Sequence, residues 1–209
     1  MGSNPDEPDR QHWEQVYATR SDQDVGWFQA EPVTSVRLVE TYAPDRAAPV
    51  VDIGGGAARL VDRLLDEGYR DVTVLDLARP ALDQVRERLG ARASDVDLVQ
   101  ADVTTWATER TFGVWHDRAV FHFVCEPDAQ ARYVSTATHV VAPGGVLLLG
   151  TFAPDGPEYC SGLPVCRYGP DDVAAIFASG FALEHHEREI HVTPAGVEQA
   201  YSWVVMRRV

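Results

Sequence analysis

The sequence predicts an α/β fold in which helices cover both faces of a mostly parallel sheet. Short apolar runs, typical of buried strands, alternate with segments whose apolar residues recur at helical spacing. Three glycines, residues 54–56, separate the first apolar run from the helical segment that follows it. The last two apolar runs are joined by residues 192–197, a linker too short for a helical crossover, so they must pair as a hairpin. These observations predict a Rossmann-like, doubly wound, seven-stranded sheet, mostly parallel, with a C-terminal antiparallel hairpin strand.

The length and charge of the chain limit its organisation and its partners. The 209 residues suit a single domain, which we assign to residues 9–209, and residues 1–8 are predicted to be a disordered tail. The formal net charge of −14 disfavours binding to nucleic acid or to an anionic membrane. The sequence contains no apolar stretch of about 18 residues and no secretory signal, so we expect a cytoplasmic protein.

The three cysteines are Cys125, Cys160 and Cys166, and no two of them form a Cys-x-x-Cys pair. Their odd number and their spacing indicate reduced thiols rather than a disulfide framework, and no metal site is expected. Cys160 and Cys166 could bind a soft metal or a metalloid substrate, although two thiols define little of a metal's geometry.

Residues 9–45 precede the first predicted strand and are rich in aromatic side chains. Asp9 is expected to cap a first helix that carries Trp13, Val16 and Tyr17 on its apolar face. Pro32 suits the first turn of a second helix. The residues expected to face inward from this second helix are Val33, Val36, Val39 and Tyr42.

The elements of the sheet and its helices follow in order. Strands are predicted at residues 50–52, 71–76, 96–102, 112–117, 146–152, 181–191 and 198–206. Helices are predicted between them, starting near residues 60, 80, 128 and 170. Gly68 and Gly90 are placed to end the first two of these helices, and Pro143-Gly144-Gly145 separates the third from the strand after it.

The glycine turn at residues 54–56 is the strongest candidate for a binding site. Glycine is needed where a backbone approaches a ligand too closely for a Cβ atom. The free N–H groups at the start of the next helix favour electron-rich ligand atoms. The strand, the turn and the helix together predict a site for a nucleotide-like cofactor.

The order of these features resembles the class I S-adenosylmethionine-dependent methyltransferases. The resemblance runs from about residue 50 to the C-terminus and begins with Asp52-x-Gly54-x-Gly56, which is similar to the glycine-rich first motif of that family. It also includes the terminal hairpin and Pro143-Gly144-Gly145 before the fifth strand. The acidic residues that end the next three strands are Asp76, Asp102 and Asp117. The resemblance implies S-adenosylmethionine as the cofactor and S-adenosylhomocysteine as the product.

The acidic residues suit this cofactor chemically. Asp76 lies about 20 residues beyond the glycines, where a carboxylate can accept both ribose hydroxyls. Asp102 could accept the adenine amino group, and Asp52 could orient the glycine turn or meet the methionine ammonium. Some of these residues could instead only cap strand ends. The residues predicted to bind the cofactor are Trp13, Tyr17, Trp27, Asp52, Gly54, Gly56, Asp76, Leu77, Asp102, Val103 and Asp117.

The aromatic residues of the leader, residues 9–45, have two compatible interpretations. Aromatic faces attract a sulfonium cation and exclude water, so Trp13, Tyr17, Trp27 and Phe28 could belong to a lid over the cofactor. They could also attach the leader to the core, because aromatic side chains dominate packing in general.

The candidate catalytic residues follow the fourth strand. Methyl transfer is an in-line displacement, so the protein must position a nucleophile and, where required, remove its proton. Asp117 and His122 lie at the sheet edge where ligands bind in such folds. Asp117 could instead pair with Arg118 or cap a helix, and His122 could be a packing residue. The residues predicted to line the acceptor pocket are Phe28, Tyr159, Cys160 and Arg167.

The predicted activity is methyl transfer to a small molecule with a thiol, amine, oxygen or metalloid nucleophile, because the chain carries no appended substrate domain. Trp13-x-x-x-Tyr17 is also similar to a pattern in some protein-lysine methyltransferases, which are the alternative, and a non-catalytic cofactor-binding protein is another. A nicotinamide dehydrogenase fits less well, because Arg59 stands where its third glycine belongs. The acceptor atom and the oligomeric state stay open.

Overall fold

The computed structural model describes residues 7–209, with side chains from residue 10 onward except at position 22. A seven-stranded sheet forms its centre, in the order β3-β2-β1-β4-β5-β9-β8. Strands β1 to β5 run parallel, β9 pairs antiparallel with β5, and β8 pairs antiparallel with β9. The predicted fold class is confirmed. The strands are β1 Val50–Ile53, β2 Val72–Asp76, β3 Val96–Gln100, β4 Phe112–Arg118, β5 Val141–Phe152, β6 Tyr159–Cys160, β7 Leu163–Pro164, β8 Phe181–Val192 and β9 Glu198–Arg208.

Helices cover the sheet on both faces. The helices are α1 Glu7–Thr19, α2 Val33–Tyr42, α3 Leu60–Asp66, α4 Arg79–Leu89, α5 Pro127–Val140 and α6 Pro170–Phe177. Buried side chains of α2, α3 and α4 share one hydrophobic core, and those of α5 and α6 share a second core with the opposite faces of the strands. All four residues of β1 are buried, because this strand lies between β2 and β4 and is covered on both faces.

Several predicted boundaries are wrong, and so is one residue of the predicted inward face of α2. Helix α1 begins at Glu7, so Asp9 lies inside it rather than capping it, and the last two residues of the predicted tail are helical; the rest of that tail lies outside the described residues. Val33 of α2 is 67% exposed. The buried residues of α2 are Ser35, Leu38 and Val39. Strand β3 ends at Gln100, so Asp102 follows the strand in a turn.

The prediction of reduced cysteines is also wrong for two of the three. Cys125 and Cys166 form a disulfide between residues 41 positions apart, with their Cα atoms 5.7 Å from each other. The long segment after β5 folds back toward the start of α5, where the Cys166 N–H donates to the His122 carbonyl oxygen over 2.8 Å. Cys160 is free and buried. No helix among the described residues is long and apolar enough to cross a membrane.

Candidate active site

A cavity of about 370 Å³ opens at the carboxyl ends of the parallel strands. Its walls come from the glycine turn, from the segments after β2, β3 and β4, from the leader and from the start of α5. The predicted site residues that line it are Trp13, Tyr17, Trp27, Gly54, Asp76, Leu77, Asp102, Val103 and Cys160. This is the crevice in which open α/β sheets bind their ligands.

The glycine turn is tightly enclosed. Gly54 has a φ of +61°, and a Cβ atom at this position would lie 2.1 Å from Cγ2 of Val120. Gly56 has a φ of +39°, and its Cβ would lie 2.8 Å from the hydroxyl oxygen of Tyr17 and 2.9 Å from Oδ2 of Asp76. Both positions therefore require glycine for conformation and for space. The turn brings the leader, β2 and the segment after β4 into contact around one hollow.

Asp76 lies at the centre of this arrangement. The side chain is 5% exposed, and its Oδ1 accepts a hydrogen bond from the Ala78 N–H over 2.8 Å. Burial raises the pKa of Asp76 to about 7; the nearby Asp52 carboxylate adds to the rise, and backbone N–H groups oppose it. No basic side chain among the described residues pairs with Asp76. A ligand that donates hydrogen bonds would therefore stabilise this carboxylate.

Two other predicted cofactor residues are held by local hydrogen bonds. Oδ1 of Asp102 accepts from the Thr104 N–H over 2.7 Å and from its hydroxyl over 2.8 Å, so the carboxylate is fixed at the cavity wall. Asp52 does not line this cavity. Its Oδ1 lies 2.7 Å from Nδ1 of His116, whose Nε2 lies 2.9 Å from the Ser35 hydroxyl oxygen. This polar chain explains why α2 turns a serine, rather than Val33, toward the sheet.

A smaller cavity of about 50 Å³ adjoins the glycine turn on the side of Asp52. Phe28, which we expected in the acceptor pocket, lines this smaller cavity and not the larger one. Trp27, Gly54 and Arg118 line both, so the two spaces are neighbours.

Neither predicted catalytic residue lines the larger cavity. Asp117 is fully buried and accepts hydrogen bonds from the N–H groups of Val120 and Phe121 and from the Tyr133 hydroxyl, so it fixes the turn after β4. It does not pair with Arg118. Burial raises the pKa of Asp117 to about 6, although these hydrogen bonds oppose the rise.

His122 is also fully buried, because the short turn at Phe121–Phe123 directs it inward. Its ring lies 4.6 Å from the ring of Phe123 and 4.6 Å from that of Phe152, between ring centres. Burial, with the charge of Arg118, lowers the pKa of His122 to about 3, so it is a poor base near neutral pH.

The segment after β5 contributes one of its three predicted pocket residues to the cavity. Cys160 lines the wall, and burial raises the pKa of its thiol to about 12. Tyr159 is 63% exposed and lies outside the cavity. Arg167 pairs with Glu158 over 3.2 Å at the surface. Because residues 159–164 form the small hairpin β6–β7, neighbouring side chains point to opposite sides.

The aromatic residues of the leader form one connected wall. Ring centres lie 5.7 Å apart for Trp13 and Trp27, 6.2 Å apart for Tyr17 and Trp27, and 5.1 Å apart for Trp13 and Phe123. All four rings line the cavity. The contacts are compatible with packing and with a lid, and the lid stays a prediction.

These residues fit an adenosine-containing cofactor. Asp76 and Asp102 follow adjacent strands and present acceptors along one wall, while Leu77 and Val103 supply apolar surface for a base. The glycine turn leaves the space that a Cβ atom would fill. An electron-poor, cationic group would find aromatic faces in the leader.

A family model described as a methyltransferase domain matches residues 50–145. Over these residues the chain is similar to methyltransferase domains, and its fold is that of the class I methyltransferases. Among curated proteins, it is 23% identical over 177 residues to the mouse eEF1A lysine and N-terminal methyltransferase, covering 84% of this chain and 24% of that protein. It is 22% identical over 189 residues to the zebrafish EEF1A lysine methyltransferase 2, covering 83% of this chain and 75% of that protein. The chain thus spans about a quarter of the length of the first of these relatives.

Solved structures of methyltransferases share the fold. The 1,6-didemethyltoxoflavin-N1-methyltransferase of Burkholderia thailandensis, solved with 1,6-didemethyltoxoflavin and S-adenosylhomocysteine, has a TM-score of 0.77 at 21% identity, with 100% of this chain and 92% of that chain covered. The N-methyltransferase NodS of Bradyrhizobium japonicum, in complex with S-adenosylhomocysteine, has a TM-score of 0.70 at 16% identity, with 95% and 97% covered.

Arg118 is a site residue that was not predicted from the sequence, where it was expected only as a partner for Asp117. Its side chain lines both cavities and donates from Nη1 to the Trp27 carbonyl oxygen over 3.0 Å. A basic residue at the carboxyl end of a central strand was the available signal.

Proposed function

We propose that this methyltransferase transfers the methyl group of S-adenosylmethionine to a small-molecule acceptor with a thiol, amine, oxygen or metalloid nucleophile. The observation that carries the cofactor assignment is Asp76, a buried carboxylate at the end of β2 that faces the cavity beside the glycine turn and has no basic partner among the described residues. Similar methyltransferases have been crystallised with S-adenosylhomocysteine or S-adenosylmethionine, which supports this cofactor assignment.

The proposed roles of the cofactor residues follow the walls of the cavity. Asp76 accepts the ribose hydroxyls, Asp102 and Val103 face the adenine, and the glycine turn holds the methionine portion near Asp52. The aromatic wall excludes water and stabilises a positive charge on sulfur. Asp117 acts indirectly, by fixing the turn that carries Arg118, Ala119 and Val120.

The proposed chemistry relies on positioning. When bound, S-adenosylmethionine supplies an electrophilic methyl carbon. The chain holds the acceptor in line with it and removes water from both, which lowers the entropic cost of the displacement. We assign no proton transfer to His122, because it lies outside the cavity and its pKa is lowered. Cys160 is a protonated thiol that shapes the wall.

The acceptor class rests on the enclosure of the site. A cavity of about 370 Å³ at the low end of ligand pockets, walled by the leader, suits a compact acceptor. The net charge of −14 supports partners other than nucleic acids and anionic membranes. The sequence led us to expect a cytoplasmic protein. The disulfide between Cys125 and Cys166 argues against that location, because disulfides are rare in reducing compartments.

A protein lysine is the second candidate acceptor. The curated relatives in mouse and zebrafish that cover most of this chain carry names of lysine methyltransferases. An aromatic wall could also hold the methylene groups of a lysine side chain.

Calorimetry with S-adenosylmethionine and S-adenosylhomocysteine tests the cofactor. We expect Asp76→Asn to lower the affinity for both ligands by about 10- to 100-fold, because charge-assisted hydrogen bonds are lost. The matched control is Asp83→Asn, which removes the same charge from an exposed position on α4. Absence of binding to the wild-type protein, or equal affinities in both variants, would refute the assignment.

Turnover tests the acceptor. Formation of S-adenosylhomocysteine is measured by mass spectrometry with thiols, amines, phenols, carboxylates and metalloid anions, and in parallel with lysine-containing proteins. Turnover of small molecules alone supports the proposal. Turnover of protein lysine alone selects the second candidate, and tight cofactor binding without turnover of either class indicates a binding protein.

A further inference from the structure

Arg118 is a half-buried cation without a counter-ion in the part of the chain that the structure describes. Its Nη1 donates to the Trp27 carbonyl oxygen over 3.0 Å, and the guanidinium carbon lies 4.5 Å from the ring centre of Tyr201. The other two nitrogens, Nε and Nη2, are buried and have no hydrogen-bond partner. Burying a guanidinium without a carboxylate partner is unfavourable, so a partner would be strongly stabilised there.

The nearby carboxylates are engaged elsewhere. Asp117, adjacent in sequence, accepts from two backbone N–H groups and from Tyr133. Asp52 pairs with a histidine of β4, and Glu189 accepts from the Trp203 indole N–H. None of them compensates the charge of Arg118, so Nε and Nη2 keep unused hydrogen-bonding capacity in a residue that lines the cavity.

The free donors have the geometry of a fork. Nε and Nη2 lie on the same edge of a guanidinium group, and their N–H bonds point in the same direction. That edge matches the two oxygens of a carboxylate, which accept two parallel, charge-assisted hydrogen bonds. Nη1, which is occupied by Trp27, belongs to the opposite edge. The two donors that a bidentate anion needs, Nε and Nη2, are therefore both unpaired, and the occupied donor lies outside that pair.

Arg118 lies on the acceptor side of the cavity. It ends β4, which lies on one side of β1, whereas Asp76 and Asp102 follow β2 and β3 on the other side. Cys160, from the segment after β5, lines the same cavity. An adenosine between Asp76 and Asp102 would leave the Arg118 end for the molecule that receives the methyl group.

We propose that Arg118 binds a carboxylate on the methyl acceptor, which makes small molecules that carry a carboxylate near their nucleophile the substrate class. This inference rests on the proposed function and deepens it. Tyr201 packs against the guanidinium, and His122 stays neutral because burial and Arg118 lower its pKa, so this histidine adds no positive charge beside Arg118. The aromatic and apolar surroundings exclude water and strengthen the pair.

Binding of simple carboxylates to the full-length protein saturated with S-adenosylhomocysteine tests the inference. Calorimetry compares mercaptoacetate with mercaptoacetamide, and benzoate with benzamide. We expect each carboxylate to bind at least about tenfold more tightly than its amide. Arg118→Gln should remove this preference and leave the affinity for S-adenosylhomocysteine within about threefold. The matched control is Arg132→Gln, an exposed arginine that lines the same cavity and should keep the preference.

Arg118→Lys provides a second variant that keeps the positive charge and loses the fork. We expect it to weaken carboxylate binding by at least about threefold while the protein stays folded. A carboxylate that binds no better than its amide would overturn the inference. Equal losses of carboxylate affinity in Arg118→Gln and Arg132→Gln would also overturn it.

A selective loss of S-adenosylhomocysteine affinity in Arg118→Gln would also overturn it, because Arg118 would then hold the cofactor's own carboxylate. Failure of the proposed function gives a different pattern, in which S-adenosylhomocysteine does not bind the wild-type protein. The carboxylate titrations, repeated without S-adenosylhomocysteine, still report on Arg118 in that case.

Discussion

Asp76→Asn should stabilise the unliganded protein and weaken its binding of the cofactor. The carboxylate is 5% exposed and has no basic partner among the described side chains, and burial raises its pKa from 3.8 to about 7. Asn keeps an oxygen that can accept from the Ala78 N–H, now 2.8 Å away, and carries no charge to desolvate. The substitution therefore removes the unfavourable charge and keeps the local hydrogen bond.

The magnitude follows from linkage between protonation and folding. Between pH 3.8 and about 7 the folded protein holds a proton on Asp76 that the unfolded chain has lost. The free energy of unfolding therefore falls as pH rises through this window, and above it the full penalty is present. A pKa rise from 3.8 to about 7 corresponds to an upper limit of about 4 kcal/mol. Asp76→Asn should recover part of this at pH 8 and almost none of it at pH 4.

Urea denaturation from pH 4 to pH 8.5, followed by tryptophan fluorescence, measures the effect. Asp117, whose pKa is also raised, acts in the same direction in both proteins, so only the difference between the two pH profiles reports on Asp76. Asp83→Asn should leave the wild-type profile unchanged. Parallel profiles for wild type and Asp76→Asn would refute the reasoning, because Asp76 would then titrate alike in the folded and unfolded states.

Two further predictions concern stability around the cavity. Cys125→Ser should lower the free energy of unfolding by about 4 kcal/mol, the chain-entropy value for a closed loop of 41 residues. Denaturation of the wild type under reducing conditions should show the same loss, and no difference would mean that the bond to Cys166 does not form. Gly54→Ala should cost about 2 to 4 kcal/mol, because its Cβ would lie 2.1 Å from Val120 at a positive φ. Gly144→Ala, with a φ of +77° and no atom within 4 Å of the added Cβ, isolates the backbone strain and should cost about 1 kcal/mol. Equal losses in the two glycine variants would exclude the steric contribution.

The fold was predictable because its signals are local and repeated. Short apolar runs in the sequence indicated the buried strands, and glycines follow α3 and α4 where they were expected. The short linker between the last two strands required a hairpin. Element boundaries were less accurate. Within α2, Val33 was wrongly expected to face inward, because Ser35 instead reaches His116 across the core, a contact 81 positions apart that no local pattern contains.

The site was predictable where it depends on strand order, and less so where it depends on side-chain direction. Asp76 and Asp102 reach the cavity because parallel strands end at one edge. His122 was placed on the wrong side, since a short irregular turn has no fixed side-chain period. The disulfide depends on two segments meeting in space, and the spacing of cysteines along a chain does not encode that distance.

Among the described residues, Asp76 and Arg118 have no ion-pair partner, and they place a negative charge at the end of β2 and a positive charge at the end of β4 along one cavity. Each costs folding free energy, because burial without a partner is unfavourable. The two do not offset each other through an ion pair, and Arg118 is not among the groups that shift the pKa of Asp76. A protein shaped by stability alone would pair them or replace them. The proposed ligands would complete each charge separately, with hydroxyl donors at Asp76 and an anion at Arg118 on opposite sides of β1. This division separates recognition of the cofactor from recognition of the acceptor, so a substitution at one charge should change one affinity and spare the other.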